Sequence, residues 1–469
     1  MMAKGLIIAA TASGCGKTTM SLGLMAALVR RGLRVMPFKI GPDFIDPGHH
    51  RSVTGRTSHN LDGWMLSRSF NQATFHHRTH HGDIAVVEGV MGLFDGYDGR
   101  SDAGSTAQMA KWLGLPIVLV VDARSMARSA AALVQGFENF DPALHFLGVI
   151  FNNIGSARHL RYLEEALAGH VKMPCLGGVP RDTAIRMPER HLGLVTAEDH
   201  PLSATQIDQL AALVEAHVDL DGLLSRTDPM RIASHDQGAV TPQADPGPRI
   251  GIARDRAFCF YYPENLAILE ACGARLAYFS PLTDTTLPED LDGLYLGGGY
   301  PETNARQLAA NQPMRTAIRD MSLKGVPIYG ECGGFMYLGR GLIDLDGRHH
   351  AMTGCFPLST RMLRRRKALG YREIQLKTPC ILGSAGASAR GHEFHYSAIE
   401  TFDPSDDLEM VYSVVPRSGD GLKTEGFYRR RTLGSYIHLH FGSNPDLARD
   451  FVQNCRQYKM EKDSVHAAI

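Results

Sequence analysis

Short, unbroken apolar runs recur along both halves of this chain, each followed by a stretch of helical period. In the first 195 residues they read LIIAA, RVMPFK, IAVVEGV, PIVLVVD, HFLGVIFNN and CLGGVP. Continuous hydrophobicity marks strands buried on both faces, and the helical stretches between them are the crossovers that parallel neighbours require. Residues 200–224 read as a closing helix pair. The segment RTDPMRIASHDQGAVTPQADPGPR (226–249) then has the Pro, Gly and Ser content of a linker. Beyond it the pattern resumes with RIGIAR, LAYFSPL, LDGLYLGG and GVPIYGE. A chain of 469 residues also exceeds what one core supports. The expected organisation is an α/β domain over 1–225, a linker over 226–248 and a second α/β domain over 249–469.

The first run passes directly into TASGCGKTTMSLGL, which places Gly14, Gly16, Lys17, Thr18 and Thr19 between a strand and a helix. That is the setting of a P-loop. Backbone amides and the helix N-terminus cradle phosphates, Lys17 neutralises their charge, and the Thr18 hydroxyl reaches Mg²⁺. Thr11 stands where the usual first glycine would be, and Cys15 occupies a variable position. KIGPDFIDPGHH (39–50) adds Lys39, Asp43 and Asp46 after the second strand, at the edge where a parallel sheet gathers ligands. VVEGVMGLFDGYDG (86–99) ends a strand on Glu88, a carboxylate suited to Mg²⁺. Asp95 and Asp98, in a Gly-rich turn, read as structural.

YGECGGFMYLG (329–339) is a second strand-to-helix turn, with Cys332 at its apex. Such an elbow exposes a nucleophile, and amides at the helix start lower a thiol pKa and stabilise an oxyanion. The glycine run of LYLGGGYPE (294–302) offers further amides, so Gly299 and Gly333 are the candidate oxyanion donors. GSYIHLHFGSNP (434–445) puts His438 and His440 two apart on one strand and therefore on one face, where one could serve the thiol as base.

Lys plus Arg and Asp plus Glu both number 49, so no net charge draws the chain to nucleic acid or a membrane surface. No apolar run approaches the ~18 residues of a membrane span. Eight scattered cysteines without a CxxC pair point to a reducing, cytoplasmic setting. The histidine groups His49–His50 and His76, His77, His80, His81 lack partner ligands at metal-binding spacing and read mostly as surface.

GCGKTT, FKIGPDFIDPGHH, NLDGWML, EGVMGLFDG, PERHLGL, FYYPENLAILE, GGGYPE, YGECGGFMYL, GHEFHYS and SYIHLHFGSNP, in this order, resemble the cobyrinic acid a,c-diamide synthases of cobalamin biosynthesis. The resemblance spans essentially the whole chain. It implies an N-terminal ATP-dependent amidoligase domain similar to dethiobiotin synthetase and a C-terminal class I glutamine amidotransferase domain. It carries the nucleophile onto Cys332 and its activating base onto His438. It implies ATP and Mg²⁺ (Thr18, Asp46, Glu88) acting with Lys17, Lys39 and Asp43, and L-glutamine as nitrogen donor. It also implies a large tetrapyrrole rich in carboxylates. Arg190 and His191 of PERHLGL suit those carboxylates, as could the run Arg361, Arg364, Arg365, Arg366, Lys367, which reads equally well as a solvated face.

Two positions depart from the resemblance. His440 stands where class I amidotransferases carry a glutamate, leaving the third member of the triad open, and Phe44 stands where many relatives carry tyrosine. Related enzymes amidate hydrogenobyrinic acid, nickel sirohydrochlorin or sirohaem, so the ring's metal is open, as is the choice between monomer and homodimer. A partition-type ATPase is disfavoured because its signature lysine falls at Ala12. A ligase for a biotin precursor would leave the Cys332 domain unexplained.

Overall fold

The apolar runs of the first half become parallel strands around one central ribbon. The computed structural model describes residues 4–181, 189–190, 193–194, 196–230, 247–402, 407–415 and 423–467. The chain divides into two units, Met1–Gln237 and Gly238–Ile469. In the first, the strands are β1 (Lys4–Ala10), β2 (Val35–Ile40), β3 (His59–Leu61), β4 (Ile84–Glu88), β5 (Ile117–Asp122), β6 (Phe146–Ile154) and β7 (Cys175–Pro180). Their order is β3-β2-β4-β1-β5-β6-β7, and every pairing is parallel. Successive residues of β1 point to opposite faces: Leu6, Ile8 and Ala10 enter one apolar cluster, Ile7 and Ala9 the other. Helix α1 (Lys17–Arg30) packs into the first of these, and α2 (Ile45–Thr54) follows β2.

The sequence pattern gave no sign of β3, because HNL is short and polar. Its purpose is local: the Asn60 side-chain amide donates to the carbonyls of Gly41 (2.9 Å) and Asp43 (2.8 Å), fixing the loop after β2. The closing helix pair appears as Ala204–His217 and Leu220–Arg226. The segment expected to begin the linker is partly anchored. Thr227 is buried, Pro229 bridges to Lys4, and Met230 lies against Gly5.

Next come a two-stranded ribbon, β8 (Glu189–Arg190) and β9 (Gly193–Leu194), and the strands of the second unit. These are β10 (Arg249–Ala253), β11 (Arg275–Phe279), β12 (Gly293–Leu296), β13 (Ile328–Glu331), β14 (Gly341–Ile343), β15 (His349–Ala351), β16 (Leu358–Met362), β17 (Ala368–Leu376), β18 (Ser388–His395), β19 (Ser397–Phe402), β20 (Leu408–Val415), β21 (Lys423–Arg429), β22 (Thr432–Ser435) and β23 (Ile437–Leu439). Ten form one sheet, ordered β11-β10-β12-β13-β22-β21-β20-β17-β18-β23. It is parallel from β11 to β22 and antiparallel beyond. Strands β15-β14-β16-β19 make a smaller sheet. The antiparallel half is what the parallel reading of the sequence did not foresee. Among the described residues no helix is long and apolar enough to cross a membrane.

Candidate active sites

The first site lies at the C-terminal ends of β1, β2 and β4. Gly14 (φ 82°) and Gly16 (φ 89°) adopt the left-handed conformation that turns the chain from β1 into α1. At Gly16 space also forbids a side chain, since a Cβ would sit 2.1 Å from the Asn152 side-chain amide nitrogen. That amide donates to the Cys15 carbonyl (2.9 Å), tying the loop to β6. Thr11 places its hydroxyl 3.5 Å from Cys15 Sγ, and Thr19 lies within the first turn of α1. Lys17 Nζ donates to the Met91 carbonyl (2.9 Å), and burial, then the neighbouring Lys39, depress its pKa.

Beneath the loop the charges are buried and matched. Lys39 Nζ lies 2.5 Å from Asp46 Oδ2 and 3.1 Å from Glu88 Oε1. The Thr18 hydroxyl donates to Glu88 Oε1 (2.7 Å), and His50 Nε2 lies 2.8 Å from Glu88 Oε2. Burial works against the Lys39 charge, but Asp46 and Glu88 outweigh it and raise its pKa. Burial likewise opposes ionisation of Glu88, yet Lys39, His50 and Thr18 hold its pKa well down. Asp46 Oδ1 is buried and makes no hydrogen bond among the described residues. An orphan carboxylate oxygen beside a second carboxylate and a threonine hydroxyl fits Mg²⁺, which takes one or two protein carboxylates and completes its shell from phosphate and water. Asp43 lies at the start of α2, where its carboxylate accepts from the Ile45 (3.0 Å) and Asp46 (3.1 Å) amides. Asp95 and Asp98 serve their turns, accepting from the Gly92 amide and from those of Arg100 and Ser101.

The second site lies at the ends of β12, β13 and β23. Cys332 follows β13, caps the helix Gly333–Leu338 and holds φ 46°, rare for a residue with a Cβ. Its amide donates to the Ser435 carbonyl (2.7 Å) and its Sγ lies 3.9 Å from the Phe394 carbonyl. Glycine is required around it. A Cβ on Gly333 would sit 3.0 Å from the Gly299 nitrogen, and one on Gly298 would sit 2.2 Å from His438 Cε1. The glycine run after β12 therefore touches both the elbow and the histidine. The Gly299 amide donates to nothing among the described residues, whereas those of Gly297 and Gly298 are taken by Tyr261 and Phe260.

Two expectations need correcting here. The Cys332 thiol is buried, at 7% exposure, where the elbow suggested an exposed one. Its pKa is raised: burial, then the Glu302 charge, outweigh the lowering by the Gly333 amide. His440 continues the extended backbone of β23, its amide donating to the Arg390 carbonyl (3.0 Å). It lies past the end of β23, where its Nδ1 accepts from the Gly442 amide (3.0 Å). His438 packs against His392, their rings 4.9 Å apart and 14° from parallel, and burial drives its pKa well below the ordinary value.

Family profiles match both units. The CobQ/CobB/MinD/ParA nucleotide binding domain matches residues 6–195, and the CobB/CobQ-like glutamine amidotransferase domain matches residues 249–446. The cobyrinate a,c-diamide synthase of Syntrophotalea carbinolica is 48% identical over 453 residues, covering 96% of this chain and 98% of its own. Those of Leptospira interrogans (41% over 455 residues) and Salmonella typhimurium (42% over 458) each cover 96% of this chain and 98% of their own. The chain belongs to the cobyrinate a,c-diamide synthase family. It is a glutamine-dependent carbon–nitrogen ligase, with a nucleotide-binding unit and a glutamine amidotransferase unit.

Within this family frame, the structure gathers Lys17, Thr18, Lys39, Asp46 and Glu88 in one place and Cys332, Gly299, Gly333 and His438 in another. Of the two residues offered for the tetrapyrrole, His191 lies outside the described residues and only the backbone of Arg190 is described, in β8. Arg361 pairs with Glu400 at 2.8 Å, and Arg364, Arg365, Arg366 and Lys367 are exposed. Sequence reasoning missed His50. It and His49, read as surface, are buried, and only the four-residue spacing of Asp46 and His50 on one helix face signalled it. It also missed Glu331 and the GHEFHYS strand beside Cys332, which no periodicity marks.

Proposed function

We propose that the chain amidates the a and c carboxylates of cobyrinic acid in cobalamin biosynthesis, with ATP activating each carboxylate as an acyl phosphate and L-glutamine supplying ammonia. The observation that carries this reading is the coexistence in one chain of a phosphate loop over matched buried charges and a cysteine elbow beside a buried histidine. A carboxylate is a poor electrophile. The loop amides and Lys17 would hold the triphosphate while its γ-phosphoryl passes to a substrate carboxylate oxygen, with Lys39 facing the developing charge. Asp43 would act here through the loop it fixes. Mg²⁺ would be held by Thr18, Asp46 and Glu88, and when bound it neutralises charge on the phosphate oxygens.

In the second unit, Cys332 Sγ would attack the glutamine side-chain amide as its proton passes to His438. The oxyanion would rest on the Gly299 and Gly333 amides, and His438 would return the proton to the departing ammonia. Water hydrolyses the thioester to glutamate, and ammonia displaces phosphate from the acyl phosphate. The deciding experiment is product mass spectrometry with the purified protein, ATP, Mg²⁺, glutamine and a panel of cobyrinic acid, hydrogenobyrinic acid, nickel sirohydrochlorin and sirohaem. Two amidations of cobyrinic acid are expected; no amide from cobyrinic or hydrogenobyrinic acid overturns the reading.

A further inference from the structure

We infer that Glu331, the residue immediately before the nucleophile, is the carboxylate that positions His438. The inference rests on the roles of Cys332 and His438 proposed above. Glu331 Oε2 lies 3.8 Å from His438 Nδ1, and both side chains are 2% exposed. Charges this deeply buried are little screened. The carboxylate is rigidly held: Oε1 accepts from Tyr329 OH (2.7 Å) and the Leu439 amide (3.0 Å), and Oε2 accepts from Tyr295 OH (2.9 Å). The Leu439 bond anchors the strand that carries His438, so Glu331 fixes both the backbone and the ring.

Glu393 also favours the His438 cation, but it and the other neighbouring groups have partners of their own. On β18, Glu393 accepts from Arg372 Nε (2.7 Å) and contacts His395 Nε2 (2.8 Å); His392 contacts Tyr262 OH (2.9 Å) and stacks on His438. Glu425 accepts from Ser435 Oγ and the Tyr436 amide. His440 carries no negative charge, and its Nδ1 is taken by Gly442.

A carboxylate on the Nδ1 side keeps the proton on that nitrogen and leaves Nε2 with the lone pair that takes the thiol proton. The S–H bond breaks, an N–H bond forms at Nε2, and the resulting imidazolium faces Glu331, which takes no proton itself. A 3.8 Å separation is long for a hydrogen bond, and catalytic contacts of this kind tighten as charge develops.

The test measures glutamate release from glutamine by the full chain across the pH range in which histidine titrates, in the wild type, C332A, E331Q, E331D and E393Q. For Glu331→Gln we expect kcat to fall roughly 10²-fold at little-changed KM, with the acid limb of the profile moving to lower pH. Glu331→Asp keeps the charge at shorter reach and should recover part of the loss while keeping the wild-type limb. A wild-type kcat in E331Q, a loss with an unmoved acid limb, or a limb that moves in Glu393→Gln instead each overturns the inference. If E331Q fails to fold, as its thermal unfolding will report, E331D decides: wild-type kcat means that the reach to His438 is immaterial. Persistent glutamate release by Cys332→Ala would instead sink the underlying assignment.

Discussion

Both sites bury titratable groups, and the groups at their centres are treated oppositely. Under the phosphate loop, partners outweigh burial at the central pair: Lys39 is held as a cation and Glu88 as an anion, 3.1 Å apart, although burial still depresses Lys17 and, with the Glu88 charge, raises Asp46. Around Cys332, burial prevails: the thiol is pushed up, His438 and His392 are pushed down, and Glu331 is raised to about 7. A site that receives a polyanion and a metal ion gains from charges fixed in advance. One that passes a proton between thiol and imidazole gains from a thiol and a ring that stay neutral until substrate arrives.

The largest effects should separate the sites completely. Lys17→Ala is expected to cut amidation on the order of 10³-fold or more with either glutamine or ammonia, while glutamate release continues. Cys332→Ala should abolish glutamine use and leave amidation from free ammonia. Loss of both activities in either variant, followed by product mass spectrometry, would break the comparison.

Stability should divide the same way. Lys39→Met strands two buried carboxylates and should cost roughly 3–5 kcal/mol of unfolding free energy. His438→Gln removes no fixed charge and should cost under about 2 kcal/mol; equal losses in urea unfolding would mean that the sites are not electrostatically distinct. Gly298→Ala drives a methyl group into His438 and is expected to slow glutamate release about 10²-fold by misplacing the ring, with amidation from ammonia as the internal comparison.

The pH dependence is the finest test. Glu331 rises from an ordinary 4.5 to about 7, chiefly by burial. A raised carboxyl contributes its stability fully below the unfolded value and loses it as pH climbs through the folded one. The contribution of Glu331 alone should therefore fall by about 3.5 kcal/mol between those values, at about 1.4 kcal/mol per unit. Glu331→Gln, neutral throughout, should lack that slope in urea titrations at the two ends of the window.

Legibility followed burial and locality. The parallel strands were readable because each is a continuous apolar run, and the phosphate loop because its residues are contiguous. β3 escaped because its worth lies in Asn60 holding two carbonyls. The antiparallel half of the second sheet escaped because strands such as GHEFHYS interleave polar side chains that face a site. Glu331 sat in the quoted motif unread, since its relation to His438 arises from strand order across more than a hundred residues. The exposure and acidity of Cys332 were misjudged because an elbow specifies backbone shape, whereas burial depends on what packs over it.

The left-handed backbone of Cys332 has an energetic consequence. At φ 46° a side chain costs on the order of 1–3 kcal/mol that glycine avoids, so Cys332→Gly should relieve that strain, set against the lost packing of a buried thiol, and yield a glutamine-blind protein. The dihedral that aims the thiol is thus held by the strand and helix on either side against the local preference of the residue that uses it.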